Sequence, residues 1–342
     1  MGALDTEPTL GTSSSIGRYF GIVSTIPSLV LVLWVYLILV LDPFHGPPQL
    51  SHLGSVNPIT HPSHAIAIAV AAWITAVVTH PLQTAIVQAF EGYWGFGHLG
   101  RRLAAARVLA HLKSRATMTG TADWAVHRLK ERHDALGDEL LDHLTYPALP
   151  DNDSVARSVV ELQLKVDTAR KALLIYPSDL VDMMPTRLGN VLRRHETLAG
   201  RAVNLPILQW ATHIGLSADP AHNAYVVDQR SDLDLAVRMS FVGVVCTGLS
   251  FIAFWPHGLW LLLALVPLAG GWLSYRGSVV AADAYGRAFS AWLHLNRFRM
   301  YDQLRLVPAE TADDERKRNA ALEDLVHGND TFEVPLAHGP KQ

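Results

Sequence analysis

Hydrophobic positions along this chain gather in four blocks separated by polar stretches. Phe20 to Leu41 runs 22 residues without a charge, and Ala65 to Phe90 runs 26. A helix needs roughly 20 apolar residues to cross a bilayer core, so each block predicts one crossing. Arg238 and Arg276 enclose a further 37 residues that hold no Asp, Glu, Lys or Arg. That stretch is too long for one crossing and contains its own break, Pro256-His257-Gly258, flanked by Trp255 and Trp260. Proline with glycine makes a turn, and tryptophan favours the headgroup level. The pattern predicts a tight helical hairpin, Met239–Trp255 and Leu259–Tyr275. Leu235 to Val237 would lengthen its short first arm, with Arg238 snorkelling to the interface.

Basic residues set the orientation, because loops rich in Lys and Arg stay on the cytoplasmic side. There is none between Tyr19 and Gly100. Arg18 precedes the first block, Arg101, Arg102 and Arg107 follow the second, and the turn of the second hairpin has none. The expected topology has both turns outside and both termini in the cytoplasm, in a cell membrane. Block one does not read as a cleaved signal: its core is too long and Val40-Leu41-Asp42-Pro43 is no cleavage site.

The remaining polar stretches read as helix and loop. Residues 1–18 form a cytosolic tail, and 19–90 the first transmembrane hairpin with a proline-rich outer loop at 42–64. Residues 91–238 form a helical cytosolic domain, and 239–276 the second hairpin. Within the domain, Val126, Leu129, His133, Leu136, Leu140 and Leu144 fall on one helix face. Tyr146-Pro147 to Pro150 ends that helix. Asp151 or Asp153 caps the next, which runs through Val160, Leu164 and Leu174 to a stop at Tyr176-Pro177. A shorter helix begins near Pro185, and a last one near Asn223 feeds the third span. Helical pattern continues past Arg276, so residues 277–306 form a cytosolic extension of the fourth helix, roughly 70 Å long in all. Gly270, Ser274, Ser278, Ala282, Gly286 and Ser290 recur along it every four residues, a step that lets another backbone approach. In the C-terminal tail, 307–342, Thr311 caps a short helix with Asp313, Asp314 and Glu315 in its first turn. The fold class is therefore an all-α membrane protein: four transmembrane helices in two hairpins plus a helical cytosolic domain, with the last span continuing as a long cytosolic helix.

Composition agrees with this placement. The chain is 49% hydrophobic and 17% charged, with a net charge of −3 that gives no global attraction to nucleic acid. Arginine outnumbers lysine 22 to 6 in an alanine-rich chain, the bias of a GC-rich bacterial genome. The single cysteine, Cys246, lies in an apolar run and can form neither an internal disulfide nor a tetrahedral metal site.

Motifs for chemistry are sparse. There is no phosphate-binding glycine loop, no HExxH, no GxSxG and no paired CxxC, so no catalytic residue, cofactor or metal ligand is assigned. His52, His61 and His64 are proline-separated and lack a fourth ligand. His127, Glu131, Asp134, Asp138 and Asp142 share a helix face, but that face lies opposite the apolar stripe and reads as solvated. A possible intramembrane polar site comprises His80, Gln83 and Glu91 in the second block, with Asp283 on the long helix as a partner. Polar groups at that depth face a bundle interior or a cavity. The bland alternative is that His80 covers the backbone gap left by Pro81. Pro185 to Glu196 is an amphipathic basic helix, with Leu188, Val191 and Leu192 on one side. Its Arg187, Arg193 and Arg194 are candidates for lipid or partner contact. Residues 91–238 balance 18 Lys and Arg against 18 Asp and Glu, which favours internal pairing over lipid.

The phrases PTRLGNVLRRHE, LQTAIVQAFEGYWG at Leu82–Gly95 and HLNRFRMYDQLRL at His294–Leu306 resemble a group of multi-pass membrane proteins of actinobacteria. The resemblance covers most of the chain from the second block onward. It implies membrane placement and a bacterial source and carries no activity. The expected function is a non-enzymatic scaffold that docks a cytosolic protein partner or its own copies. The alternatives are a homo-oligomeric channel or small-solute transporter and a membrane-embedded lipid-processing enzyme.

Overall fold

The computed structural model describes residues 20–49, 51, 62–95, 97–136, 153–205 and 207–326, and among these there is no β-strand. Three helical stretches are long and apolar enough to cross a membrane: Val23–Leu41, Pro62–Glu91 and Pro220–Gln303. The chain is accordingly a helical membrane protein. In order, a π-turn at Phe20–Thr25 leads into α1 (Ile26–Leu41), then α2 (Pro62–Thr79), a 3-10 turn at His80–Leu82 and α3 (Gln83–Glu91). These are followed by α4 (Gly97–Leu136), α5 (Asp153–Leu173), α6 (Arg187–Val203) and α7 (Ile207–Ser217). Then come α8 (Pro220–Phe254), a 3-10 stretch at Trp255–Ala264, α9 (Leu265–Gln303) and α10 (Ala312–Val326).

The third apolar stretch is 84 residues, which as one straight helix would be about 126 Å. It does not stay straight. His257 and Gly258 leave helical geometry, Gly258 with φ of 56°, and α9 folds back along α8. The hairpin is held closely: Gly243 of α8 faces Gly271 of α9 backbone to backbone, with the Pro267 carbonyl 2.8 Å from where a Cβ on Gly243 would stand. The first hairpin packs α2 on α1, and α1 packs on α8. At one end of this bundle Ile38, Leu41, Ala253 and Phe254 bury one another, Trp34 Nε1 donates to Ser250 Oγ at 2.8 Å, and His257 Nε2 lies 2.6 Å from the Pro43 carbonyl.

The part of α9 beyond Arg276 has its own core. Trp292, Leu293, Met300 and Tyr301 pack with Trp210 and Ile214 of α7, Leu322 of α10, and Ala199 and Val203. Polar groups inside it are tied. Asn296, fully buried, accepts from the Asp219 amide at 3.2 Å and donates to the Trp292 carbonyl. Glu315 takes Arg297 at 2.7 Å and the Tyr301 hydroxyl at 3.1 Å. Thr311 caps α10 as expected, accepting from the Asp314 amide.

Two compact units result, residues 91–197 and the remainder, with the boundary inside α6. In the smaller unit α4 and α5 pack side by side through Ala125, Leu162 and Val166, with Leu129 against them.

Several expectations need correction. The buried side of α5 is Val159, Leu162, Val166 and Ala169, while Val160, Leu164 and Leu174 are exposed. On α4 the buried positions are His111, Ala122 and Ala125, and Val126 is exposed. On α4 the small Ala125 lets Leu162 and Val166 of α5 pack against it; on α5 Val159, Leu162 and Val166 turn inward and Val160 and Leu164 face out. The helix feeding the third span starts at Pro220, not Asn223, because Asp219 caps it by accepting from the Ala221 amide; α7 precedes it. The fourth helix opens as a 3-10 stretch and ends at Gln303. Of the small-residue ladder, Ser278, Ala282 and Gly286 are buried, but Gly270 stands open and Gly271 makes the contact. The helix end expected between Tyr146 and Pro150, and the stripe positions Leu140 and Leu144, lie outside the described residues.

Candidate functional site

Two prolines and one arginine organise the polar interior of the first bundle. Val23 lies in the π-turn that leads into α1, and the nitrogen four residues on, where an α-helical bond from its carbonyl would go, is that of Pro27, which has no hydrogen. In the second apolar stretch Pro81 forces the 3-10 turn, and the Gln83 amide bonds the His80 carbonyl in place of that of Thr79. Two carbonyls on two helices are thus left short of donors. Arg238 of α8 supplies both: Nη1 donates to Val23 O at 3.2 Å and Nη2 to Thr79 O at 3.0 Å. Its fork of donors suits two separate acceptors. Arg238 is 3% exposed, so it does not snorkel; the helix breaks have built a place for it among backbone dipoles. One turn earlier on α8, Asp234 is 4% exposed and takes Arg230 Nε at 3.1 Å, while the Arg230 guanidinium lies 5.4 Å from the Tyr285 ring of α9.

The expected intramembrane residues divide around this clamp. His80 Nδ1 stands 3.5 Å from Ser24 Oγ, one residue from Val23 on α1's side and one residue from Thr79 on its own. The Gln83 side chain has both its nitrogen and its oxygen buried, with no hydrogen-bond partner among the described residues. Asp283 forms an ion pair with Arg287 one turn along α9. Glu91 ends α3 and belongs to the compact unit 91–197. The described neighbourhood of His80 therefore centres on Ser24, Thr79 and Arg238. Sequence reasoning missed Arg238 as its hub. Its signal was Pro27 and Pro81, each of which removes a donor from an apolar helix and announces a carbonyl in need of one.

In the smaller unit the segment Pro185–Asn190 forms a second polar knot. Thr186 caps α6, its hydroxyl accepting from the Gly189 amide at 3.0 Å and donating to the Glu91 carbonyl at 2.8 Å. Gly189 rests against that same carbonyl so closely that a Cβ has no room. Gly92, with φ of 105°, packs under the Pro185 ring. Asn190 is fully buried and ties the turn, accepting from the Met184 amide and donating to the carbonyls of Met184 and Thr186. Beside it His111 Nδ1 lies 3.3 Å from the Tyr176 hydroxyl, and Arg115 donates to the Ser178 carbonyl. Burial, with the charges of Arg107 and Arg187, holds the His111 pKa below its ordinary value against an opposing pull from the Pro185 carbonyl. Burial likewise raises Tyr93, although Arg193 opposes it.

The arginines proposed for lipid or partner contact sit on this knot. Arg187 is exposed, and Arg193 pairs with Glu196 at 3.6 Å. Leu188, Val191 and Leu192 are all buried, so the side of α6 expected to meet lipid is turned into protein. Of the acidic face, His127 and Glu131 are exposed and paired at 3.3 Å, whereas Asp138 and Asp142 lie outside the described residues, as do His52 and His61. His64 lies 3.0 Å from the Tyr36 hydroxyl. Among the described residues no three His, Cys, Asp or Glu side chains gather as a metal site. The chain matches no family model, no curated protein and no solved structure.

Proposed function

We propose that the chain is a four-span protein of a bacterial cell membrane, with both termini in the cytoplasm, acting as a scaffold whose inner helical unit docks a cytosolic protein. Four spans are supported by the two ends of the bundle. Val23, Thr79 and Arg238 meet at one end, and Pro43 meets His257 at the other. The α8 segment between Arg238 and His257 thus covers the same distance as α1, and α9 returns beside it. Orientation rests on the positive-inside distribution of Arg18, Arg101, Arg102, Arg107, Arg238 and Arg276. A bacterial source rests on arginine usage and on the resemblance to actinobacterial membrane proteins.

The docking reading is carried by the α4–α5 pair. Its two helices leave a groove of about 370 Å³ lined by Met118, Thr121, Leu164, Thr168, Ala169 and Ala172. Leu164 is 59% exposed at its rim. Val160, four residues before Leu164 and 42% exposed, extends the apolar surface along the same side of α5. The test is a photo-crosslinker at position 168 in cells, read for one discrete adduct, beside the same label in a Leu164→Glu background, which should abolish it. A chain that stays monomeric and forms no discrete adduct contradicts the reading.

Gln83 favours a second reading, an oligomeric channel, since a buried amide without a partner among the described residues suits a polar path completed by another copy. Liposome flux abolished by His80→Ala and Gln83→Ala would support it; absent flux in the parent protein would dismiss it.

A further inference from the structure

The start of α4 is unlike the rest of the helix. Between Glu91 and Asp123 there is no acidic residue, while Arg101, Arg102, Arg107, Lys113 and Arg115 are present. Leu99, Leu103, Ala106 and Ala110 recur at steps of four, three and four, which is one helix face, and all are exposed, Leu99 at 78% and Leu103 at 60%. At 100° per residue Arg102 and Lys113 flank this face on one side and Arg107 on the other, all exposed. The opposite side carries His111, 6% exposed, and the half-buried Val108 and Leu112. This helix therefore has a protein side and an outer side, and the outer side is an apolar strip rimmed with cations.

Covalent geometry limits how far that strip lies from the end of the second apolar helix. Leu99 follows Glu91 by eight residues, at most about 28 Å of extended chain. Tyr93, 46% exposed, and Trp94 stand in the connection, and aromatic residues of this kind settle at the headgroup level. The basic rim matches the negative surface of a cytoplasmic leaflet, and the leucines match its acyl boundary.

We propose that residues 97–113 form an in-plane membrane segment that binds anionic phospholipid at the cytoplasmic surface, with Leu99 and Leu103 inserted and Arg102, Arg107 and Lys113 on the phosphates. The proposal rests on the membrane reading above and fixes where the inner unit touches the bilayer. It also moves the lipid-contacting role from α6, whose apolar side is buried, to α4.

The test uses the full chain with Cys246→Ser, reconstituted in vesicles of phosphatidylcholine alone or mixed equally with phosphatidylglycerol. A nitroxide is placed singly at Leu103→Cys, and at Val77→Cys in α2 as a control. Accessibility to oxygen and to a water-soluble nickel chelate is read by power saturation. The expected result is a lipid-exposed label at 103 in the anionic vesicles and a shift toward water in phosphatidylcholine or at high salt. Arg102→Gln with Arg107→Gln and Lys113→Gln should bring the same shift without moving the control. A label at 103 that is water-exposed in both vesicles, or shielded from both reagents by protein, overturns the proposal. A water-exposed label at 77 overturns the membrane reading itself, which separates the two failures.

Discussion

Arg238 shows how one side chain can be required by two others far away in sequence. Pro27 and Pro81 each cost a helix one donor, and the guanidinium on α8 makes up both. A hydrogen bond to a charged group contributes about 1.5–3 kcal/mol, and a buried arginine without its acceptors would be more costly still. Arg238→Leu should therefore lower the thermal midpoint of the detergent-solubilised protein markedly. Arg238→Lys should recover only part of the loss, because an ammonium lacks the planar fork. The lone buried Cys246 provides the readout, through thiol labelling as the bundle opens. Equal stability of the three proteins would remove the clamp from the account. At this scale the sequence marked His80 and Gln83 as polar residues in an apolar stretch; His80 directly follows Thr79, whose carbonyl the clamp holds, and Gln83 stands one turn further on. It misplaced Arg238 because basic residues at the ends of spans ordinarily reach for water. Only the pairing of two distant proline sites shows why this one turns inward.

Elements were legible where one physical rule dominated. Uninterrupted apolar length marked α1 and α2, and Pro256-His257-Gly258 marked the fold-back. Thr311 announced α10. Legibility failed on α4 and α5, where Ala125 meets Leu162 and Val166: the alanine is too small to mark a face, and Val160, Leu164 and Leu174 are as apolar as the residues that are buried. The same preference for small residues governs the α8–α9 hairpin, where Gly243→Ala should cost about 1–3 kcal/mol as an overpacked contact. Gly270→Ala, on the open side of α9, should be tolerated. Comparison of the two by thermal unfolding in detergent checks the register; equal effects contradict it. The smaller unit carries a pH response of defined sign. The folded pKa of His111 lies below its ordinary 6.5, so the unfolded chain takes up the proton more readily. Stability contributed by neutral His111 is complete above about pH 6.5 and declines as pH falls below it. Hydrogen exchange across 91–197 should accelerate between pH about 7 and about 5, after correction for intrinsic rates, and His111→Gln should flatten that change. An unchanged profile in the variant would show that another group is responsible.

At the scale of the molecule the account stands on topology. Three apolar stretches of helix are present, and the reading of four crossings depends on the third turning back at His257–Gly258 within the membrane's outer face. The alternatives have different consequences for the C-terminus. Three crossings from a cytoplasmic N-terminus leave the last helix outside; four return it. The long arm of α9 with its own core around Trp292 and Met300 would then stand in the cytoplasm, as would the α4–α5 docking pair. The deciding measurement is single-cysteine labelling in intact cells, in a Cys246→Ser background, with a membrane-impermeant maleimide. Cysteines at positions 49 and 258 should label from outside, and those at 178 and 311 only after the cells are opened. Labelling of position 311 in intact cells, or protection of position 258, would contradict four crossings with both termini inside.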